Sequence, residues 1–214
     1  MRVHSVMQGS RANGPGLRSV VWFQGCGMAP LCPGCQNPLT HSFTKGGFDV
    51  TPEDLAVQVV REAAVGTEGI TISGGEPMHQ GLSLYAFMSM IRALRPDWNI
   101  GLFTGYTLTE LTCGQYDLRE PLPNLGTQEH AKACLWEYQI KDALTFAVTG
   151  RYDRTRPAVD VDYSLRPHKR LCSSLNQTLW LFRSRYNYED FPALTMEVSI
   201  DDTGFTTITG FPVV

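Results

Sequence analysis

The sequence predicts an α/β fold with a mostly parallel sheet and crossover helices. Three short apolar runs rich in β-forming residues, 20–24, 70–72 and 100–103, are separated by two segments with helical periodicity. In sheets of this kind, the ligand site lies beyond the carboxyl ends of the strands. Each of the three runs is followed directly by residues with unusual chemistry, so we expect a site at that edge of the sheet.

The two helical segments carry start and stop signals. Thr51 is a good N-cap for residues 51–65, Pro52 suits the first turn, and Asp54 forms a near capping box. The second segment ends before Pro96. Its apolar residues recur at helical spacing and predict a face packed on the core: Leu84, Phe87, Met88, Ile91 and Leu94.

The second half of the chain has weaker patterns. Residues 113–133 predict a loop with a short helix near 128–133, and residues 135–140 predict a fourth strand. Runs 195–200 and 205–209 predict a hairpin whose turn, 201–204, contains a glycine, and we expect it to finish the chain. The predicted organisation is one core domain, residues 1–190, with residues 191–214 as a hairpin extension of the same domain.

Composition and charge exclude several classes of protein. Of the 214 residues, 43% are hydrophobic and 18% charged, which is ordinary for a globular protein. The net charge of −3 predicts neither nucleic acid nor a membrane as a main partner. The basic stretch 166–170 is interpreted as a solvated loop. No apolar run approaches the roughly 20 residues of a membrane span. Residues 1–13 lack the apolar core of a secretory signal, so we expect a cytoplasmic protein.

Cys26, Cys32 and Cys35 form a C-x5-C-x2-C cluster directly after the first run. Thiolates suit zinc or iron–sulfur clusters, and three ligands would leave one iron of a four-iron cluster open to a small molecule. A redox dithiol at Cys32 and Cys35, a structural zinc site that includes His41, and simple buried thiols are the alternatives. The remaining cysteines are isolated and are interpreted as core or incidental thiols: Cys113, Cys134 and Cys172.

The second and third runs end in glycine-containing turns. Ser73-Gly-Gly-Glu-Pro77 follows the second run, and Thr104-Gly-Tyr106 follows the third. Paired glycines permit positive φ or a close approach of a ligand to the backbone, and Glu76 offers a carboxylate to an ammonium group. The turn lacks the spacing of the known dinucleotide and phosphate loops. The turn indicates a functional site mainly because it follows a three-cysteine loop in the sequence.

Together, these segments resemble the radical S-adenosylmethionine (SAM) superfamily, and more narrowly the small activating proteins of anaerobic ribonucleotide reductase. The motifs that carry the resemblance are Asn13-Gly-Pro-Gly-Leu-Arg18, Gly25-Cys26, Cys32-Pro-Gly-Cys35-Gln-Asn37, Ser73-Gly-Gly-Glu-Pro77 and Thr104-Gly-Tyr106. Gly150-Arg-Tyr152, Ser173-Ser174, Asn176-Gln177 and the segment 207–212 are weaker echoes. Two features depart from the family pattern: its loop is usually C-x3-C-x2-C, and Thr149 stands where the family often has Asp.

The resemblance implies a partial (β/α) barrel of the radical SAM type with a mostly parallel sheet, plus the C-terminal β-hairpin. It implies that the three clustered cysteines hold a [4Fe-4S] cluster whose open iron binds SAM. The implied cofactor-binding residues are Gly74, Gly75 and Glu76 at the methionyl end, with Asn37 and Thr104 helping to position the cofactor.

The activity implied by the resemblance is reductive cleavage of SAM to a 5′-deoxyadenosyl radical. That radical abstracts hydrogen from a glycine of a partner enzyme, and a flavodoxin or ferredoxin is implied as the electron donor. The cofactor carries the hard chemistry, so we predict no catalytic side chain beyond the cluster ligands. Glu137 and Lys141, near the predicted fourth strand, are interpreted as surface charges.

Two other functions remain open at this point. A radical SAM enzyme with the altered cysteine spacing and Thr149 would instead act on a peptide or a small metabolite. A non-enzymatic zinc or iron–sulfur binding module would need the cysteines alone. Metal analysis separates the second alternative from the first.

Overall fold

The computed structural model of the protein describes residues 1–122, 127–182, 186–193, 196–200 and 206–210. Seven strands form its main sheet: β1 Arg2–Ser10, β2 Arg18–Phe23, β3 Phe48–Asp49, β4 Gly69–Gly74, β5 Asn99–Thr104, β6 Phe146–Thr149 and β7 Thr178–Leu181. Their order is β3-β1-β2-β4-β5-β6-β7. The four central strands β2, β4, β5 and β6 are parallel, and the flanking strands pair with them or each other antiparallel.

Helices follow the parallel strands as crossover connections. They are α1 Pro52–Arg61, α2 Gly81–Leu94, α3 Leu108–Thr112, α4 Gln128–Leu135 and α5 Lys141–Ala143, with a π-helical turn at Trp136–Ile140. Thr51 caps α1 by accepting a hydrogen bond from the Asp54 N–H at 3.1 Å, as predicted. The predicted apolar face of α2 is buried except for Leu94, which is 41% exposed.

One core cluster joins the helices to one face of the sheet. Apolar side chains of α1, α2 and the α4–π segment pack with those of the central strands, including Ile70, Ile72, Ile100 and Leu102. A second cluster, around Phe146, Val148 and Phe191, includes Leu171 and Cys172. Adjacent residues of a strand point to opposite faces, so Ala147 belongs to the first cluster and its neighbours to the second.

The predicted fourth strand at residues 135–140 is wrong. These residues extend α4 through the π-helical turn, and Trp136 and Ile140, four residues apart, are both fully buried. Their aromatic and β-branched composition favours a strand locally, but burial at helical spacing decides the outcome. The true fourth parallel strand is β6, whose four residues are too short to give a clear pattern. The short helix predicted near 128–133 is confirmed as α4.

The interpretation of residues 166–170 as a solvated loop is also wrong in part. Lys169 is only 9% exposed, and its ammonium donates hydrogen bonds to the carbonyl of Leu175 at 3.0 Å and to that of Gln177. Arg170 donates to the carbonyl of Phe191 at 2.8 Å. Both cations therefore tie together the backbone around β7, which a count of charges does not reveal.

Among the described residues the main sheet is open, with β3 and β7 at its edges and no closed barrel. The predicted hairpin is confirmed as a separate antiparallel pair, β8 Met196–Ile200 and β9 Thr206–Gly210. It contacts the core through Glu197, which accepts a hydrogen bond from the Ser10 hydroxyl at 2.6 Å. Residues 195, 201–205 and 211–214 lie outside the described ranges, and the domain division at 190/191 stays a prediction. None of the described helices has the length and apolar character needed to cross a bilayer.

Candidate metal and cofactor site

The cysteine loop is closed at its base by backbone hydrogen bonds. The N–H of Gly25 donates to the carbonyl of Thr40 at 2.7 Å, and that of Cys26 donates to the carbonyl of His41 at 3.0 Å. The loop therefore leaves the end of β2 and returns to it. Cys26, Cys32 and Cys35 are all partly buried on it, as free thiols.

The Gly-Gly-Glu turn continues the pairing of β2 with β4 beyond the ends of the two strands. The Gly75 N–H donates to the carbonyl of Phe23 at 2.8 Å, and the Glu76 N–H to that of Gly25 at 2.9 Å. A Cβ on Gly75 would overlap the carbonyl oxygen of Gly25, and Gly74 has a φ of +110°. The paired glycines thus let two strand ends approach each other, and they support the base of the cysteine loop.

Glu76 joins the end of β4 to the end of β5. Its buried carboxylate accepts hydrogen bonds from the N–H of Met78 at 2.9 Å, the N–H of Gly105 at 2.8 Å and the hydroxyl of Thr104 at 2.8 Å. Burial raises the pKa of Glu76 to about 7, although the three donors favour the ionised form. The structure therefore brings together Glu76 and Thr104, two residues predicted as binding residues.

Backbone N–H groups favour the thiolate form of all three clustered cysteines. The Asn37 N–H donates a hydrogen bond to the Cys35 sulfur at 3.4 Å, and the N–H groups of Met28 and Tyr152 act to lower the pKa of Cys26 and that of Cys32. Such donors stabilise thiolates. Burial acts against them and is the larger effect, since it raises the pKa of all three thiols and that of Cys26 to about 11. The thiolate form therefore needs a cation, which a metal centre supplies.

The chemistry of the donor set fits an iron–sulfur cluster, because thiolates are the ligands of such clusters. Three thiols on a glycine- and proline-rich loop would leave one iron of a four-iron cluster open to a small molecule. Among the described residues, no group of three or more His, Cys, Asp and Glu side chains has the geometry of a single-ion site.

A cavity of about 1030 Å³ unites the predicted residues. Its lining includes all eight of them: Cys26, Cys32, Cys35, Asn37, Gly74, Gly75, Glu76 and Thr104. The cavity continues along the sheet past Trp22 and Phe103 to Ile208 of the hairpin. Neither the three isolated cysteines nor Glu137 and Lys141 line it. Glu137 and Lys141 instead form an ion pair at 2.6 Å.

Sequence reasoning missed the contribution of residues 150–154. The Tyr152 N–H favours the thiolate form of Cys32, and the Arg154 N–H donates a hydrogen bond to the carbonyl of Pro33 at 3.4 Å. Arg151 binds both carboxylate oxygens of Glu110 at 3.1 Å, and its charge favours the thiolate of Cys32. The segment Gly150-Arg-Tyr152, which weakly resembles the family pattern, was the available signal, but the sequence did not indicate a role for these residues.

Comparison with known proteins agrees with this geometry. The family model described as a 4Fe-4S single cluster domain matches residues 12–125, more than half of the chain. The anaerobic ribonucleoside-triphosphate reductase-activating protein of Vibrio cholerae is 33% identical over 122 residues, which cover 55% of this chain and 77% of that protein. The protein of the same name from Escherichia coli K12 is 33% identical over 118 residues, covering 54% and 75%. The pyruvate formate-lyase-activating enzyme of Clostridium pasteurianum is 39% identical over 84 residues, covering 37% and 33%.

The parallel sheet, the cysteine loop and the matched domain define an iron–sulfur protein with a single [4Fe-4S] cluster. Within that class, the chain belongs to the family of anaerobic ribonucleoside-triphosphate reductase-activating proteins. The matched residues 12–125 contain the cysteine loop, the Gly-Gly-Glu turn and Thr104.

Proposed function

We propose that the protein is a radical SAM activase that abstracts hydrogen from a glycine of a partner glycyl radical enzyme. When bound, the reduced cluster supplies the electron that cleaves SAM to methionine and a 5′-deoxyadenosyl radical. The observation that carries the proposal is the cavity, which unites the three thiols of the cysteine loop with the ends of β4 and β5. Family membership supports the same activity.

In this proposal, Cys26, Cys32 and Cys35 hold the cluster, and the end of β4 receives the methionyl end of SAM. Two carboxylate oxygens offer about four acceptor positions. The described residues fill three of those on Glu76, which leaves one on Oε2 for the amino group of the cofactor. Thr104 then acts by holding the carboxylate in place.

The predicted role of Asn37 divides between its main chain and its side chain. Its backbone N–H already donates to Cys35, so its contribution to the cluster comes from the main chain. Its side chain is left with the proposed role of positioning SAM, because Asn37 lines the same cavity. Gly74 and Gly75 contribute the backbone shape of the turn.

The remaining parts of the proposal concern the fold type, the partners and the compartment. The four parallel strands with crossover helices support a partial (β/α) barrel of the radical SAM type. We propose a glycyl radical protein as substrate, a flavodoxin or ferredoxin as electron donor, and the cytoplasm as the compartment, where thiols stay reduced.

The first experiment quantifies SAM cleavage under anaerobic conditions. The protein is reconstituted with iron and sulfide, reduced with dithionite and mixed with SAM, and 5′-deoxyadenosine is measured. We expect product from the wild type and from Cys113→Ala, whose exposed thiol lies outside the cavity, and none from Cys32→Ala. A reconstituted cluster without any product, or zinc without iron, would contradict the proposal.

The second experiment tests the partner. The reconstituted activase is incubated with SAM and the large subunit of an anaerobic ribonucleotide reductase, and electron paramagnetic resonance is used to detect a glycyl radical. We expect a radical that requires both proteins. Turnover of a peptide or small metabolite without the reductase, and no glycyl signal, would favour the alternative radical SAM activity.

A further inference from the structure

His79 lies beside the cysteine loop, yet nothing in the proposed chemistry uses it. Its side chain is fully buried, and both ring nitrogens have backbone partners. Nε2 lies 2.8 Å from the N–H nitrogen of Gly27, and Nδ1 lies 2.6 Å from the carbonyl oxygen of Asp117. The imidazole therefore connects the cysteine loop to a segment ninety residues farther along the chain.

The two partners determine the tautomer of the ring. An N–H group only donates, so Nε2 must accept the hydrogen bond from Gly27. A carbonyl only accepts, so Nδ1 must carry the proton that is donated to Asp117. His79 is therefore a neutral imidazole with its proton on Nδ1.

The surroundings hold the ring in this orientation. The ring of Phe43 lies 5.8 Å from the imidazole, and that of Tyr106 meets it nearly at right angles at 6.1 Å. The N–H of Arg119 donates to the carbonyl of His79 at 2.8 Å, and the Arg119 guanidinium stacks on Phe43 at 3.9 Å. The imidazole is thus packed on several sides and is placed to act as a rigid acceptor for Gly27.

Gly27 occupies the position where this anchor matters most for the cluster. It lies between Cys26 and Met28, and the Met28 N–H favours the thiolate form of Cys26. The Cys26 N–H donates to the carbonyl of His41 at 3.0 Å, and His79 holds the next N–H along the chain, that of Gly27. Glycine has wide backbone freedom, so without an anchor the peptide that carries the Met28 N–H would rotate away from the sulfur. Hydrogen bonds to the sulfurs of an iron–sulfur cluster stabilise its reduced form and raise its reduction potential.

We propose that His79 is a positioning residue for the cluster: it holds Gly27 so that the Met28 N–H is directed at the Cys26 sulfur of the bound cluster and the reduction potential stays high. The inference rests on the proposed function in one respect, namely that Cys26 ligates the cluster. His79 itself touches neither the sulfur nor the cofactor in this role.

Two matched variants separate the two hydrogen bonds of the ring. The amide of an asparagine reaches the position of Nδ1, and that of a glutamine reaches the position of Nε2. His79→Gln therefore keeps an acceptor for Gly27, whereas His79→Asn keeps only the donor to Asp117. Both variants lose the ring, so a general packing defect affects them equally.

The readout is the midpoint potential of the reconstituted cluster, followed by electron paramagnetic resonance during a redox titration. In His79→Asn we expect the equilibrium constant for one-electron reduction to fall about threefold, a shift of about 30 mV to more negative potential. In His79→Gln we expect a potential close to that of the wild type. Equal potentials in all three proteins, or equal shifts in both variants, would overturn the inference.

The wild-type apoprotein provides a test that does not depend on folding of the variants or on any activity. Nitrogen-15 NMR should show the His79 proton on Nδ1 at neutral pH, and the Gly27 amide should exchange with solvent far more slowly than the exposed Gly34 amide. A proton on Nε2, or equal exchange rates, would overturn the inference. If SAM is not cleaved but these results hold, the proposed function fails and the anchor stands.

Discussion

The two ends of the four parallel strands carry very different polar groups. At the amino ends lies Arg18, the first residue of β2, opposite the first residue of β4. At the carboxyl ends lie the cysteine loop and the turns that follow β4 and β5. Both ends concentrate polar atoms, and the cavity described above unites the predicted residues of the carboxyl ends.

At the amino ends of the strands, the saturated end, the Arg18 guanidinium donates its hydrogen bonds to neighbouring groups of the protein. The fully buried guanidinium donates to the hydroxyl of Thr71 at 2.7 Å, the carbonyl of Pro15 at 2.8 Å, the carbonyl of Ile70 at 2.6 Å and the side chain of Asn99. Burial lowers the pKa of Arg18 to about 9, which still leaves it charged at neutral pH. Arg18 does not line the cavity.

The cysteine end is arranged in the opposite way. Its three cysteines are partly exposed, and burial raises the pKa values of their thiols. A polar group satisfied by the protein stabilises the fold, whereas one that needs an external charge marks a binding site. Within the Asn13-Gly-Pro-Gly-Leu-Arg18 motif, Arg18 therefore serves the fold, whereas Asn13 lines the cavity.

The largest expected effect at the saturated end comes from Arg18→Met. Three or more buried acceptors would lose their donor, so the free energy of unfolding should fall by about 3–5 kcal/mol. Urea denaturation of the apoprotein measures this. The control is Arg61→Met, which removes an exposed ion pair with Glu62 and should change stability by less than about 0.5 kcal/mol. A loss below about 1 kcal/mol for Arg18→Met would break the comparison.

The next effect concerns the support of the cysteine loop. In Gly75→Ala, the new methyl group overlaps the carbonyl of Gly25, so we expect a loss of about 2–4 kcal/mol and little iron after reconstitution. The matched control is Gly66→Ala, where φ is +85° but no atom lies within 4 Å. There we expect a cost of about 1 kcal/mol with full iron content. Equal iron content in both variants would contradict this account of the turn.

A pH-dependent effect should appear only at the carboxyl end. Because burial raises the pKa of Glu76 to about 7, the folded state holds its proton more tightly than the unfolded state, where the pKa is 4.5. The stabilisation from this proton is complete below pH 4.5 and is lost as the pH rises through 7. Between pH 5 and 8, apoprotein stability should therefore fall by about 1–3 kcal/mol more in the wild type than in Glu76→Gln. Parallel pH profiles for the two proteins would rule this out.

The smallest expected effect comes from Thr104→Val, which removes one of the three donors to Glu76 and preserves the shape of the side chain. We expect a loss of about 1 kcal/mol in the apoprotein. Thr112→Val is the control, because the Thr112 hydroxyl is exposed and bonds only to carbonyls of its own helix. No difference between the two variants would show that the carboxylate does not depend on Thr104.

Much of the parallel sheet was predictable because its signals are local. The runs that became β2, β4 and β5, the cap of α1 and the apolar face of α2 each depend on neighbouring residues. The π-helical turn at Trp136–Ile140 and the short strand β6 were not predictable in this way. There, packing against the sheet overrides the local preference of the chain.

In the candidate site, too, some residues were predictable from local sequence and others were not. The sequence by itself determined the three cysteines, the Gly-Gly-Glu turn and Thr104, since each follows a recognisable strand and parallel strands end at one edge. Only the tertiary structure decided which groups support them. Tyr152 is 120 positions from Cys32 and His79 is 52 positions from Gly27, so no local pattern connects them. Their roles arise only when the folded sheet brings distant segments of the chain together.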